Sequence, residues 1–374
     1  MDSNVIYPDD EALIYSGRID FENRTEPTFV YAYSSVCTVF SGTKLDVIIR
    51  NHREWNDNYL GFVIDGVQGC ILLPYDEGVT RLHLVRNLAD TEHTLFLFKR
   101  QDGCHYFDLL GFVLSETGSV KRPEQGQIAE TDYLPSGGNN VSEGSYEPHR
   151  CMEVFGDSVS AGEVSEALDF MGKADPVNHG EYSNAYWSYS ALTARKLKAE
   201  LHITAQGGIA LLPGTGYFEP DFGYVGMDTR YDKLRYNPFL GRVNDWNFEQ
   251  YTPQIVVVAI GQNDNYPLDY MKEDDTSAAS KHWKVEYGSF LQKLRMKYPK
   301  ALIITATTIL EHDSCWDKAI DDVTRGLQDE KIVHFLYSKN GCGTPGHIRK
   351  PEAEEMAQEL STFIDSFGES IWDR

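Results

Sequence analysis

Little in this chain points to metal, nucleic acid or membrane. Its six cysteines (Cys37, Cys70, Cys104, Cys151, Cys315, Cys342) include no Cys-x-x-Cys pair and no His/Cys cluster. That speaks against a zinc site or a disulfide framework and fits free thiols in a reducing compartment. Positive charge is also scarce: 34 Lys and Arg stand against 57 Asp and Glu, for a formal net charge of −23. A polyanion gains nothing on such a surface, so nucleic acid and anionic membranes are excluded as partners and a neutral substrate fits better. No apolar stretch is long enough to span a bilayer, and the first ten residues are polar and acidic. Neither a signal peptide nor a transmembrane span is expected, and the expected location is cytoplasmic. Internal repeats and low-complexity segments are absent too.

What is present suffices for a large core. The 374 residues are 41% hydrophobic and 12% aromatic, which suits two domains. Over residues 12–114, short runs rich in Val, Ile, Leu, Phe, Tyr and Thr (28–33, 36–40, 44–50, 60–64, 70–73, 79–84, 94–98 and 109–114) alternate with Gly, Asp and Asn punctuation. That pattern predicts an all-β sandwich or jelly roll over residues 1–114. Residues 115–149 are polar and rich in Gly, Pro, Ser and Glu, and are expected to be a linker. Over residues 150–374 strand-like and helix-like segments alternate: strands at 152–155, 201–205, 255–260, 301–307 and 332–336, and helices at 186–197, 281–297, 315–327 and 351–367. This is the signature of an α/β domain with a parallel sheet, whose functional loops lie at the strands' carboxyl ends.

Four such loops carry chemistry-bearing residues. Gly156-Asp157-Ser158-Val159-Ser160-Ala161-Gly162 follows the first strand, where a serine hydroxyl can project beside helix N–H groups. Gly-Asp-Ser alone is ordinary turn chemistry, and Asp157 reads as a turn and cap residue. Gln206-Gly207-Gly208 follows the second strand and Gly261-Gln262-Asn263-Asp264 the third, while Gly343-Thr344-Pro345-Gly346-His347 precedes the last helix. Acyl transfer needs a nucleophile, a base and oxyanion donors. Ser158, His347, and the Ser158 and Gly208 amides with the Asn263 side chain can supply them. Asp264 is expected to hold its loop. His179, His202, His282, His312 and His334 have no motif around them and read as structural.

This ordered set resembles the SGNH (GDSL-like) hydrolase superfamily over residues 151–367. The family's glycine is Gly207 or Gly208; Gly208 is favoured because Ala205-Gln206-Gly207-Gly208 looks like its Ser-Gly-x-Gly turn. Further signals lie in Gly17-Arg18-Ile19-Asp20, Val39-Phe40-Ser41-Gly42-Thr43, Val63-Ile64-Asp65-Gly66, Thr94-Leu95-Phe96-Leu97-Phe98-Lys99 and Leu110-Gly111-Phe112. With them the N-terminal half resembles the jelly roll that precedes the hydrolase domain in carbohydrate esterase family two. The resemblance implies a three-layer α/β/α hydrolase domain. It also implies a serine esterase, acetylxylan esterase-like, that removes acetyl groups from xylan or glucomannan oligosaccharides. No metal or organic cofactor is expected; the partner is the acetylated oligosaccharide, and a homo-oligomer stays open.

One departure matters. The superfamily's aspartate three residues before the base is replaced by Thr344. Family two includes members that work with a Ser–His dyad whose imidazole is held by a backbone carbonyl, so the resemblance implies a dyad here with the Thr344 carbonyl orienting His347, and a remote carboxylate such as Asp313 or Asp317 is the alternative. Tyr266, Trp283 and Trp316 are candidates for stacking on a sugar face. Rival readings are a lipase or thioesterase of the same superfamily, and a carbohydrate-binding protein without turnover, for which the missing aspartate is the support.

Overall fold

The computed structural model describes residues 4–54, 56–128, 150–218 and 225–373. The N-terminal half folds as two antiparallel sheets facing each other. In one, Ile19–Asp20, Thr28–Phe29, His105–Leu114, Leu45–Arg53 and Val79–Val85 lie in that order, with Val5–Ile6 also on His105–Leu114. In the other the order is Val120–Lys121, Ser35–Ser41, Glu92–Lys99, Tyr59–Ile64 and Val67–Leu72, with Ile14–Ser16 on Ser35–Ser41. Alternation along the strands sends Phe29, Val47, Ile49, Phe107 and Leu109 from one sheet and Val36, Phe40, Leu60, Leu95 and Leu97 from the other into a shared core.

Two expectations need correction here. Val120–Lys121, inside the stretch expected as linker, pairs with Ser35–Ser41 and adds a strand to the sandwich; the rest of that stretch, from residue 129 to 149, lies outside the described residues. The predicted strand at 28–33 stops at Phe29. The chain then turns, with Ser34 N–H donating to the Tyr31 carbonyl and Tyr33 at φ 65°. The aromatic run that looked like a strand is an interdomain contact: Tyr31 stacks on Tyr236 at 5.4 Å and donates to the Lys233 carbonyl at 2.8 Å.

The C-terminal half is a parallel sheet between two helical layers. Its strands are β1 (Cys151–Gly156), β2 (Glu200–Ala205), β3 (Ile255–Ala259), β4 (Leu302–Ala306) and β5 (Ile332–His334), in the order β2-β1-β3-β4-β5. The principal helices are α1 (Ser158–Ala161), α2 (Tyr189–Leu197), α3 (Ala278–Lys297), α4 (Ser314–Gly326) and α5 (Lys350–Asp365). Residues of β1, β3 and β4 alternate between the layers. Val154, Val257 and Ile304 pack on α2 and α5 through Ala194, Met356 and Leu360. Phe155, Val258 and Ile303 pack on α3 and α4 through Phe290, Leu291 and Ile320. Strand order reverses between β1 and β3, and a crevice opens at such a point over the carboxyl ends.

The two halves meet through buried charge. Arg18, 1% exposed, pairs with Glu153 of β1 at 2.8 Å. It also donates to the carbonyls of Tyr231 and Lys233 at 2.6 and 3.2 Å. Glu153 accepts in addition from Thr204 at 2.9 Å and Tyr298 at 2.5 Å. Removing one partner leaves the other charge buried and uncompensated, so Arg18→Ala is expected to lower stability by about 3–5 kcal/mol. Denaturant titration reads that as an earlier unfolding midpoint, whereas a midpoint within error of wild type would show the pair to be dispensable.

Candidate active site

Ser158 is the first residue of α1, directly after β1 and the cap residue Asp157. Its Oγ lies 2.8 Å from His347 Nε2. The other ring nitrogen, Nδ1, lies 2.6 Å from Asp175 Oδ2. Asp175 is fixed in turn: its Oδ1 accepts from the His347 backbone N–H at 2.9 Å and from Arg349, fully buried, at 2.8 Å. Arg349 also donates to the carbonyls of His347 and Ala167. Serine hydroxyl, imidazole and carboxylate thus form one continuous hydrogen-bonded chain, the arrangement that a nucleophile, its base and an orienting group require.

The group that orients His347 is therefore Asp175 and not Thr344. The Thr344 carbonyl accepts from Glu311 N–H at 2.9 Å, and Thr344 is 2% exposed. The alternatives are also occupied elsewhere: Asp313 caps α4 through Cys315 N–H, and Asp317 holds Thr307, His312 and Asn340. Asp175 sits in the loop after Leu168–Phe170, and it reaches His347 because Gly346 has no side chain. A Cβ there would lie 2.5 Å from the Lys173 carbonyl and 2.8 Å from Asp175 Oδ1.

Burial pushes the His347 imidazole down, but Glu163, Asp175 and Asp157 outweigh it and raise it to about 9. Burial likewise raises the Asp175 carboxyl, and His347 and Arg349 overcome that and hold it below the usual carboxylate range. The fully buried Asp157 is pushed up to about 6 by burial, against donation from Gln262 at 2.6 Å and Val159 N–H at 3.1 Å.

The glycine block lies beside Ser158, where a Cβ on Gly207 would come within 3.8 Å of the serine Cβ. Gly207 N–H is taken by Asp102 Oδ2 at 2.6 Å, while Gly208 N–H has no acceptor among the described residues. Gly208 adopts φ 72°, which favours glycine. Asn263 Nδ2 donates to Asp157 Oδ2 and to the Ile209 carbonyl, both at 3.1 Å. Asp264 accepts from Leu211 N–H at 3.0 Å and from Trp283 Nε1 at 2.7 Å, tying the loop after β3 to the loop after β2.

Comparison with known proteins follows the same outline. The profile of the carbohydrate esterase 2 N-terminal domain matches residues 15–123. Along nearly its whole length the chain is similar to two characterised proteins. It is 28% identical to the cellulase/esterase CelE of Acetivibrio thermocellus, over 96% of this chain and 37% of CelE. It is 24% identical to the acetylxylan esterase / glucomannan deacetylase of Cellvibrio japonicus, over 96% of this chain and 90% of that protein. The chain thus spans little more than a third of CelE. In fold it matches a family two carbohydrate esterase from Cellvibrio japonicus, with a TM-score of 0.74 at 21% identity, covering 99% of this chain and 98% of that one. It also matches one from Clostridium thermocellum in complex with cellohexaose, with a TM-score of 0.72 at 23% identity over 95% and 98% of the two chains. The N-terminal part thus matches the carbohydrate esterase 2 N-terminal domain, and the whole chain shares the fold of the family two carbohydrate esterases.

Of the aromatic candidates, only Tyr266 reaches the surface. Trp283 and Trp316 are fully buried on α3 and α4, their indole N–H groups held by Asp264 and Asp269. Those two are core. Tyr266, 36% exposed, stacks instead on Tyr217, 56% exposed, with ring centroids 4.5 Å apart. Tyr217 N–H donates to the Gly208 carbonyl at 2.7 Å, so the aromatic pair is anchored on the loop after β2.

Five residues of the site lay outside the sequence reading: Asp102, Glu163, Asp175, Tyr217 and Arg349. Asp102 comes from the sandwich, in the turn between Glu92–Lys99 and His105–Leu114, and binds Gln206 Nε2 at 2.9 Å as well as Gly207. The N-terminal half therefore holds the loop after β2 directly.

Proposed function

We propose that this chain is a serine carboxylic-ester hydrolase that removes acetyl groups from neutral oligosaccharides of the xylan or glucomannan type. The observation that carries the reading is the 2.8 Å contact of Ser158 Oγ with His347 Nε2, backed by Asp175. Ser158 attacks the acetyl carbonyl while His347 takes its proton. The Gly208 and Ser158 N–H groups receive the oxyanion, and Asn263 joins them by exchanging one of its two present acceptors. The tetrahedral intermediate collapses, His347 returns the proton to the sugar oxygen, and the sugar leaves. A water activated by His347 then releases acetate from Ser158. The acidic surface and the Tyr217–Tyr266 pair support a neutral sugar as leaving group, in keeping with the relatives' names. The complete relay removes the reason for favouring a binding protein without turnover.

The test is acetate release from acetylated xylo-oligosaccharides and acetylated glucomannan. Release of acetate supports the reading; no release from either substrate would refute it. Tyr217→Ala is expected to raise KM for the acetylated oligosaccharide by roughly three- to tenfold, the worth of one aromatic contact. An unchanged KM would remove the pair from substrate binding.

A further inference from the structure

Among the described residues four carboxylates crowd the Ser158–His347 pair, and three of them are engaged by hydrogen bonds from the protein. Asp157 receives Val159 N–H, Gln262 and Asn263. Asp175 receives His347 and Arg349. Asp102 receives Gln206, Gly207 N–H and Cys104 N–H. Glu163 is the fourth, and no donor among the described residues is within hydrogen-bonding distance of its carboxylate. Its nearest basic partner is His347 Nε2 at 3.9 Å, beyond a hydrogen bond.

The backbone holds Glu163 at this point. Gly162 ends α1 in the left-handed conformation at φ 77°, and Glu163 N–H donates to the Ser158 carbonyl at 3.0 Å. A Cβ on Gly162 would lie 2.6 Å from the Asn184 carbonyl, so the turn has no room to relax. The Glu163 side chain, 36% exposed, then returns toward the nucleophile. A Cβ on Gly207 would lie 3.0 Å from Glu163 Oε2 and 3.8 Å from Ser158 Cβ, which places the carboxylate on the open side of the site beside the serine.

His347 Nε2 delivers its proton to the departing sugar oxygen, so that oxygen must lie within hydrogen-bond reach of Nε2. On a pyranose ring the hydroxyl next to the ester oxygen lies about one hydrogen-bond length further on. With Glu163 Oε2 3.9 Å from Nε2, that hydroxyl can reach a carboxylate that has no other donor among the described residues. We propose that Glu163 is a specificity-determining residue: its carboxylate accepts a hydrogen bond from the free hydroxyl adjacent to the ester, selecting neutral sugar acetates that carry a vicinal hydroxyl. This rests on the esterase reading above.

The experiment measures kcat/KM of wild type, Glu163→Gln and Glu163→Ala on three esters: a monoacetylated methyl xyloside with a free neighbouring hydroxyl, its analogue with that hydroxyl methylated, and 4-nitrophenyl acetate. The readout is the ratio of the free-hydroxyl ester to its methylated analogue, whose leaving oxygens need the same proton from His347, so that a general change at His347 cancels; 4-nitrophenyl acetate reports whether the enzyme is active. A hydrogen bond to a charged acceptor is worth roughly ten- to a hundredfold. This ratio is expected to fall by that factor in Glu163→Ala and by less in Glu163→Gln. Methylation should cost wild type a similar factor and Glu163→Ala little more. A ratio unchanged in Glu163→Ala, or losses from substitution and methylation that simply add, would overturn the assignment. Wild type that cleaves the nitrophenyl ester but neither sugar acetate would instead overturn the proposed function, and this inference with it.

Discussion

Ser158→Ala is expected to lower kcat for acetyl ester hydrolysis by roughly 10⁴- to 10⁶-fold while leaving the fold intact. In the proposed reaction the hydroxyl oxygen is the atom that forms the acyl bond, and its one side-chain partner among the described residues is His347. Ser158 is only 4% exposed, and losing one oxygen from the tip of a short side chain disturbs no packing. The residual rate comes from water attacking directly, with His347 and the oxyanion donors still in place. Acetate release checks the size of the loss, and an unchanged thermal midpoint checks the fold. Activity of the same order as wild type would exclude Ser158 as nucleophile.

Asp175→Asn should rank next, with a loss of roughly 10³- to 10⁴-fold in kcat. The carbonyl oxygen of the new amide can replace Oδ1, which accepts from the His347 N–H and Arg349. The amide NH2 then faces Nδ1 and forces that nitrogen to be the acceptor. The proton moves to Nε2, where it points at Ser158 and cannot take the serine's proton. The substitution also removes an anion that favours the imidazolium. In wild type His347 is raised to about 9, so kcat/KM should climb with pH up to a limb near that value. In Asp175→Asn the limb should move to lower pH as the maximum falls. A limb that stays in place would show that Asp175 does not act through His347.

Much of this site was legible because its signals are local. Ser158, Gly208 and Asn263 each follow a run of apolar strand residues, and His347 precedes a helix with Pro351 in its first turn. The orienting aspartate was not legible, because it joins His347 from 172 residues away in the chain and from a loop without periodicity. The glycine that admits it, Gly346, was visible, but its partner was not. The tryptophans show the opposite case. Trp283, Tyr287, Phe290 and Leu294 recur at helical spacing on α3, the mark of a buried face, and all four are core. Their place beyond the right strands drew them toward the substrate, but their period decided their fate. The sandwich was legible as strands and turns, yet nothing local showed that Arg18 would bury its charge against Glu153 or that Asp102 would hold the catalytic loop. Such contacts depend on how two domains meet.

The central claim is that an acetyl group passes through Ser158. The direct measurement is rapid-quench mass spectrometry of the protein mixed with an acetylated xylo-oligosaccharide, followed by peptide mapping. The account predicts a transient gain of one acetyl group on the peptide containing Ser158, absent in Ser158→Ala. Acetate release by wild type with no acetylated intermediate, together with an active Ser158→Ala, would contradict it.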